Sequence, residues 1–120
     1  MLKLIVPPLL TLLAAGCGGV PVAAGQNADL VRDGRAIAET QCSRCHAIGA
    51  SGASPRADAP VFRHVLSRYQ AEPLSDALIA GIKVGHPDMP LFEMTPQGAD
   101  SLIAYLRSIQ SPPDDAPPRP

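Results

Sequence analysis

The stretch Cys42-Ser43-Arg44-Cys45-His46 decides how this chain folds and what it holds. Cysteines three residues apart lie about one helical turn from each other, so their two sulfur atoms lie along the same face. The adjacent histidine adds an imidazole nitrogen, a common metal ligand, beside that face. This arrangement matches the two vinyl groups of a porphyrin whose iron the imidazole can bind. Cys-x-x-Cys-His is the attachment signature for c-type haem.

Three other uses of the cysteine pair stay open at this point. A structural zinc site needs four ligands, and only His64 and His86 remain to complete one, because there is no second cysteine pair. A thioredoxin-type redox motif would follow a strand of a βαβ unit, and no strand pattern is visible. A Cys42–Cys45 disulfide would close too short a loop to stabilise much. We expect one haem c, held by thioether bonds to Cys42 and Cys45.

The composition favours a cofactor at the centre of the core. The chain has 120 residues, enough for one domain, but only four aromatic residues and no Trp. A small domain needs apolar bulk to offset chain entropy, and a haem would supply it. The formal charge of -1 excludes a nucleic-acid binder that acts through a basic face. The hydrophobic fraction of 46% excludes an acidic disordered chain.

Residues 1–25 have the layout of an export signal peptide. Lys3 precedes an uncharged apolar run that is shorter than the roughly 20 residues of a membrane span. Small residues before Gln26 favour cleavage there, which predicts a periplasmic protein. The alternative is a membrane-anchored lipoprotein, because Leu13-Ala14-Ala15-Gly16-Cys17 resembles a lipobox in which Cys17 would carry the lipid anchor.

Residues 26–110 are predicted to form a single all-α domain, because no part of them alternates with a period of two. The first helix is capped by Asn27 and runs straight into Cys42. A second, short helix follows Pro60. Residues 111–120 contain five prolines and are predicted to be a disordered tail.

Two further helices complete a set of four. The third is predicted over about residues 75–84, with Gly85 as its C-terminal stop. The last begins after Thr95, a capping residue, with Pro96 at the first helical position. Its apolar stripe recurs at helical spacing and consists of Ala99, Leu102, Ile103, Leu106 and Ile109.

Met89 is the residue that we expect as the sixth iron ligand. It lies on the proline-flanked loop His86-Pro87-Asp88-Met89-Pro90, and a thioether ligand raises the reduction potential of haem iron. A methionine is more often core filler, a role that suits Met94. His86 and His64 compete as iron ligands, although a surface histidine is the plainer interpretation of each.

In their order along the chain these features resemble a class I c-type cytochrome, of the small single-haem bacterial type. The resemblance covers about residues 28–110 and implies the cytochrome c fold, with four short helices around one covalently bound haem. It implies that Gly34 lets the first helix cross closely over Leu102 and Tyr105 of the last.

The same resemblance implies the arrangement of ligands around the iron. His46 and Met89 would be the axial ligands, and the carbonyl of Pro60 would accept a hydrogen bond from the imidazole of His46. That contact would fix the tautomer and the ring plane of the ligand.

The function implied is electron transfer rather than enzymatic catalysis, because iron with both axial positions filled does not readily bind a substrate. We expect a monomeric periplasmic shuttle between redox protein donors and acceptors. One alternative is a haem subunit of a periplasmic dehydrogenase, and another is a haem sensor or peroxidase with an open axial position. Lys83 is the only lysine after the leader, so strong steering towards an acidic partner is not expected.

Overall fold

The computed structural model describes residues 22–112, apart from residues 82, 84 and 86. This part of the chain contains no strand, which confirms the all-α prediction. It also contains no helix that is long and apolar enough to cross a membrane. The described residues form four α-helices: α1 (Val22–Ile37), α2 (Val65–Arg68), α3 (Ala71–Ile79) and α4 (Pro96–Ile109). A π-helical turn, Ala38–Cys42, extends α1, and a 3₁₀ turn, Phe62–His64, leads into α2.

Helix α1 begins earlier than predicted. Its first residue is Val22, so Asn27 lies inside the helix and does not cap it. Between Pro21 and Asn27 the sequence contains only one helix-disfavouring residue, Gly25, whose cost of about 1 kcal/mol does not end a helix. Cleavage before Gln26 stays a prediction. The alternative lipidation site, Cys17, lies outside the described residues.

The π-helical turn carries α1 directly into the cysteine motif, as predicted. The N–H of Ser43 donates to the carbonyl of Ala38, five residues earlier, at 3.0 Å. The hydroxyl of Ser43 donates to the Glu39 carbonyl at 2.7 Å. Turns of this kind are frequent at functional sites, and here the turn ends at Cys42.

Helices α1 and α4 cross in direct contact at Gly34. A Cβ atom there would lie 1.9 Å from the backbone oxygen of Ser101 and 2.8 Å from Cβ of Tyr105. Only glycine fits this position, so the predicted close crossing and its Tyr105 contact are confirmed. The atoms of α4 nearest to this Cβ position belong to the backbone of Ser101, the residue before Leu102. Leu102 is buried in the core.

Helix α3 is shifted towards the N-terminus relative to its predicted range of 75–84. Gln70 is extended, and the helix starts at Ala71, with Pro73 in the first turn, where backbone N–H groups have no helical partner. The helix ends before Gly81, whose φ of +65° is left-handed. Gly85 was therefore the wrong stop, because a glycine closer to the last helical residue already ends the helix.

Helix α4 begins as predicted. The side-chain oxygen of Thr95 accepts a hydrogen bond from the N–H of Gly98 at 3.1 Å, and Pro96 is the first helical residue. Four members of its apolar stripe are buried in the centre of the protein, and Ile109 is half-buried. These four residues are Ala99, Leu102, Ile103 and Leu106.

The end of α4 is tied to the segments around the cysteine motif. The hydroxyl of Tyr105 donates to the carbonyl of Ile48 at 2.8 Å. The side-chain amide of Gln110 donates to the carbonyl of Phe62 at 2.8 Å. Ser111, the first residue of the predicted tail, donates its N–H to the carbonyl of Arg63. The tail was predicted to be disordered over residues 111–120, of which residues 113–120 lie outside the described residues.

Candidate functional site

The residues Cys42–His46 form a tight turn at the end of the π-helical turn. The N–H groups of Cys45 and His46 both donate to the carbonyl of Cys42, at 3.1 and 3.0 Å. Both cysteine side chains are half-buried and line one cavity together with His46. The turn thus places two thiols and an imidazole at the wall of a single space.

The ring of His46 is held by a backbone carbonyl and an aromatic neighbour. Its Nδ1 lies 2.7 Å from the carbonyl oxygen of Pro60, which is the contact implied by the resemblance. A carbonyl can only accept, so Nδ1 carries the proton and Nε2 keeps its lone pair. The ring of Phe62 lies 5.1 Å away between centroids, tilted by 47°. The phenyl group and the carbonyl together restrict the orientation of the imidazole.

The cavity beside this turn is large and predominantly apolar. Its volume of about 460 Å³ falls within the range of roughly 300–1,000 Å³ that is usual for ligand and cofactor sites. Its wall includes the motif residues, Met89 and several apolar side chains, among them Ala59, Val65, Leu74 and Phe92. An apolar space bordered by two thiols, an imidazole and a thioether fits a covalently attached haem.

Met89 is half-buried on a loop that three contacts fix in place. The ammonium group of Lys83 donates to the carbonyl of Pro87 at 2.6 Å. The carboxylate of Asp88 accepts from Arg56 at 2.6 Å. The N–H of Met94 donates to the carbonyl of Leu78 at 3.0 Å, which ties the end of the loop to α3. The loop therefore places Met89 at the cavity, although Met89 itself belongs to no helix.

Arg56 is a wall residue that the sequence did not single out. Its guanidinium group bonds the carboxylate of Asp58 and also that of Asp88. The hydrogen bond to Asp58, and after it the one to Asp88, raises the pKa of Arg56 above its ordinary value. Asp88 lies 32 residues from Arg56, so no local pattern could have revealed the pair.

The environment of Cys42 bears on the alternative uses of the cysteine pair. Burial, and secondarily the neighbouring Cys45, raises the pKa of the Cys42 thiol to about 11. This thiol is therefore neutral at pH 7, whereas the attacking cysteine of a redox pair has a depressed pKa. Within the described ranges, no group of three or more Cys, His, Asp or Glu residues is placed to hold a metal ion. Those ranges thus supply no complete zinc ligand set.

The other candidates for the sixth iron ligand are His64, His86 and Met94. His64 does not line the cavity, and its Nε2 is buried without a hydrogen-bond partner. His86 is outside the described residues. Met94 packs against the core, and it shares with Met89 and Cys42 the wall of a smaller apolar cavity of about 50 Å³. Among the described candidates for a sixth ligand, Met89 alone lines the cavity beside the cysteine motif.

Two comparisons with known proteins agree with this site. Residues 29–106 match the family model described as cytochrome c oxidase, cbb3-type, subunit III. The chain is also 29% identical over 99 residues to cytochrome c-552 of Bradyrhizobium diazoefficiens, a match that covers 78% of this chain and 91% of that protein. No solved structure shows significant similarity to the chain.

The family match spans the parts of the chain that form the cavity. It starts within α1, includes the cysteine motif and the loop of Met89, and ends within α4. The extent of this match, well over half of the chain, places the protein in the c-type cytochrome family, whose members hold a covalently attached haem and transfer electrons.

Proposed function

We propose that this protein is a periplasmic one-electron carrier with a single haem c. Cys42 and Cys45 hold the haem through thioether bonds, and His46 and Met89 are the axial ligands of its iron. The observation that carries the proposal is that all four side chains line the same apolar cavity. The single Cys-x-x-Cys-His motif of the sequence supports one haem per chain.

The protein itself fixes the orientation of the proposed ligand His46. Its hydrogen bond to the carbonyl of Pro60 keeps the proton on Nδ1, so Nε2 is the nitrogen that binds iron. The same hydrogen bond limits rotation of the ring. The tight turn around Cys42 keeps His46 next to the two cysteines that would carry the thioether bonds.

Met89 makes the site suited to electron transfer rather than to catalysis. A bound haem supplies a ferric/ferrous couple, and a thioether ligand favours the ferrous state and raises the potential. With His46 and Met89 both holding the iron, no ligand position would stay open for a substrate. The predominantly apolar wall would limit solvent access to the iron, which is one of the factors that set its redox potential.

Haem attachment and ligation can be tested on the exported protein. The haem should stay with the polypeptide through acid-acetone extraction and denaturing gels, at one haem per chain. A Cys42→Ala, Cys45→Ala double variant should lose it. Ferric protein should show the weak far-red sulfur-to-iron charge-transfer band. Met89→Ala should abolish that band, lower the reduction potential and open the iron to carbon monoxide.

Matched variants identify the ligand. Met94→Leu keeps the apolar volume and should leave the band in place, because Met94 packs in the core. His64→Ala and His86→Ala should leave it in place too. If His86→Ala removes the sixth ligand while Met89→Ala changes nothing, the haem has two histidine ligands and the proposed carrier chemistry is wrong.

A second candidate function is that of a haem-bearing subunit of a larger redox complex. The form of this function expected from the sequence is a haem subunit of a periplasmic dehydrogenase. The description of the matched family, which names an oxidase subunit, favours this class of role. Native purification without an affinity tag separates the two functions. A shuttle elutes as a monomer, whereas a subunit elutes with its complex.

The periplasmic location rests on the leader sequence. Intact mass of the exported protein should correspond to a chain that begins at Gln26 and carries one haem. A mass that shows a lipid-modified Cys17 as the first residue would place the protein on a membrane surface, and would exclude a freely diffusing shuttle.

A further inference from the structure

We propose that Arg56 is a positioning residue for Met89, and that it acts through Asp88 to hold the methionine loop against the haem-attachment turn. This inference rests on the proposed role of Met89 as an iron ligand. It adds a residue to the site that neither the cysteine motif nor the methionine loop contains.

Arg56 contacts both sides of the cavity at once. Its backbone N–H donates to the carbonyl of Cys45 at 3.2 Å, which joins it to the haem-attachment turn. Its Nη2 donates to Oδ2 of Asp88 at 2.6 Å, and Asp88 is the residue before Met89. A short path therefore links the second cysteine to the sixth ligand. Arg56 and Asp88 both lie in the wall of the cavity.

A second carboxylate, that of Asp58, also orders the guanidinium group of Arg56. Its Nε and Nη2 donate to the two carboxylate oxygens of Asp58, at 2.6 and 3.2 Å. This two-point contact fixes the plane of the group. The N–H of Ala59 also donates to the carbonyl of Arg56 at 3.1 Å, which closes a turn. Because the side chain is already ordered, the bridge to Asp88 costs little additional side-chain entropy.

The expected effect is an increase in loop opening rather than a loss of folding. The side chains are partly exposed, 37% for Arg56 and 65% for Asp88, and exposed ion pairs contribute modestly. The hydrogen bond from Lys83 to Pro87 would still hold the loop when the pair is broken. Met89 should leave the iron more often, so an added ligand should bind more readily.

The test is a double-mutant cycle on ferric, haem-loaded protein, with imidazole as the added ligand. Arg56→Gln and Asp88→Asn should each tighten imidazole binding about two- to fivefold and weaken the sulfur-to-iron band. Because Asp88 has further interactions, the decisive quantity is the coupling between the two changes. Asp88→Asn should have a smaller effect in the Arg56→Gln protein than in the unmodified protein.

Glu72→Gln is the matched control. Like Asp88→Asn it removes one negative charge, and it breaks another exposed ion pair, Glu72–Arg107 at 2.7 Å. Neither Glu72 nor Arg107 lines the cavity beside the cysteine motif. Imidazole affinity and the band should match those of the unmodified protein. Salt gives an independent readout, because raising it from about 10 mM to about 1 M screens exposed pairs. Salt should tighten imidazole binding to the unmodified protein and have little effect on Arg56→Gln.

The outcomes separate this inference from the proposed function. If the unmodified ferric protein lacks the sulfur-to-iron band, Met89 is not the ligand and the proposed function fails first. If the band is present but the two changes are additive, only the Arg56–Asp88 inference is overturned. It is also overturned if Arg56→Gln acts while Asp88→Asn does nothing, because Arg56 would then act on the haem itself.

Discussion

Replacing Gly34 with alanine tests whether the close crossing of α1 and α4 is the main structural constraint on this fold. The new Cβ would lie 1.9 Å from the carbonyl oxygen of Ser101 and 2.5 Å from the carbonyl carbon. Both are backbone atoms, so no side-chain rotation can relieve the overlap. An ordinary carbon–oxygen contact is about 3.3 Å, so the two helices must separate by more than about 1 Å.

The free energy of unfolding should fall by about 3 kcal/mol. Overpacking against an unyielding backbone costs about 3 kcal/mol, at the upper end of the usual range. Moving α4 also weakens the hydrogen bond from Tyr105 to the carbonyl of Ile48, which adds about 1 kcal/mol. Alanine recovers about 1 kcal/mol through its higher helix propensity.

Urea unfolding of the haem-loaded protein, followed by far-UV circular dichroism, measures this change. With an m-value of about 1.5 kcal/mol per M, the midpoint should fall by about 2 M while the m-value stays constant. Gly49→Ala is the control, because a Cβ at Gly49 has no atom within 4 Å and should change stability by less than about 0.5 kcal/mol. A Gly34→Ala protein as stable as the Gly49→Ala protein would refute the reasoning.

Two further changes test contacts of α4. Tyr105→Phe removes the hydroxyl that donates to Ile48 and should destabilise the protein by about 1–2 kcal/mol in urea, because the carbonyl loses its partner. Faster amide exchange around Ile48 should accompany this loss, and unchanged exchange would contradict the contact. Thr95→Ala removes the acceptor for the Gly98 N–H and should cost about 1 kcal/mol. Thr95→Ser keeps a hydroxyl and should restore most of the loss in the same assay.

Two of the local sequence patterns agree with the structure. The start of α4 was predictable because Thr95 and Pro96 act through neighbouring backbone groups. The grouping of Cys42, Cys45 and His46 was predictable because one turn of chain determines it. The boundaries of α1 and α3 were less predictable, since Asn27 and Gly85 are only two of several residues able to cap or stop a helix.

The hydrogen bond of the His46 imidazole was predictable from the family resemblance, although not from local sequence patterns. The hydrogen bond between His46 and Pro60 spans 14 residues, and no spacing argument predicts it. Likeness to c-type cytochromes implied it, and the structure contains it. Arg56 has no counterpart among the features on which the resemblance was based, and it was found only from its contacts with Asp58 and Asp88.

By itself the sequence determined the helical class, the cysteine motif with its haem chemistry, and the methionine loop. Each depends on residues close together in the chain, where covalent geometry restricts the possible arrangements. Tertiary structure alone decided that Gly34 faces the backbone of Ser101, and that Arg56 reaches across to Asp88. Such contacts depend on how helices and loops meet in space, because distant residues come together only when the whole chain has packed.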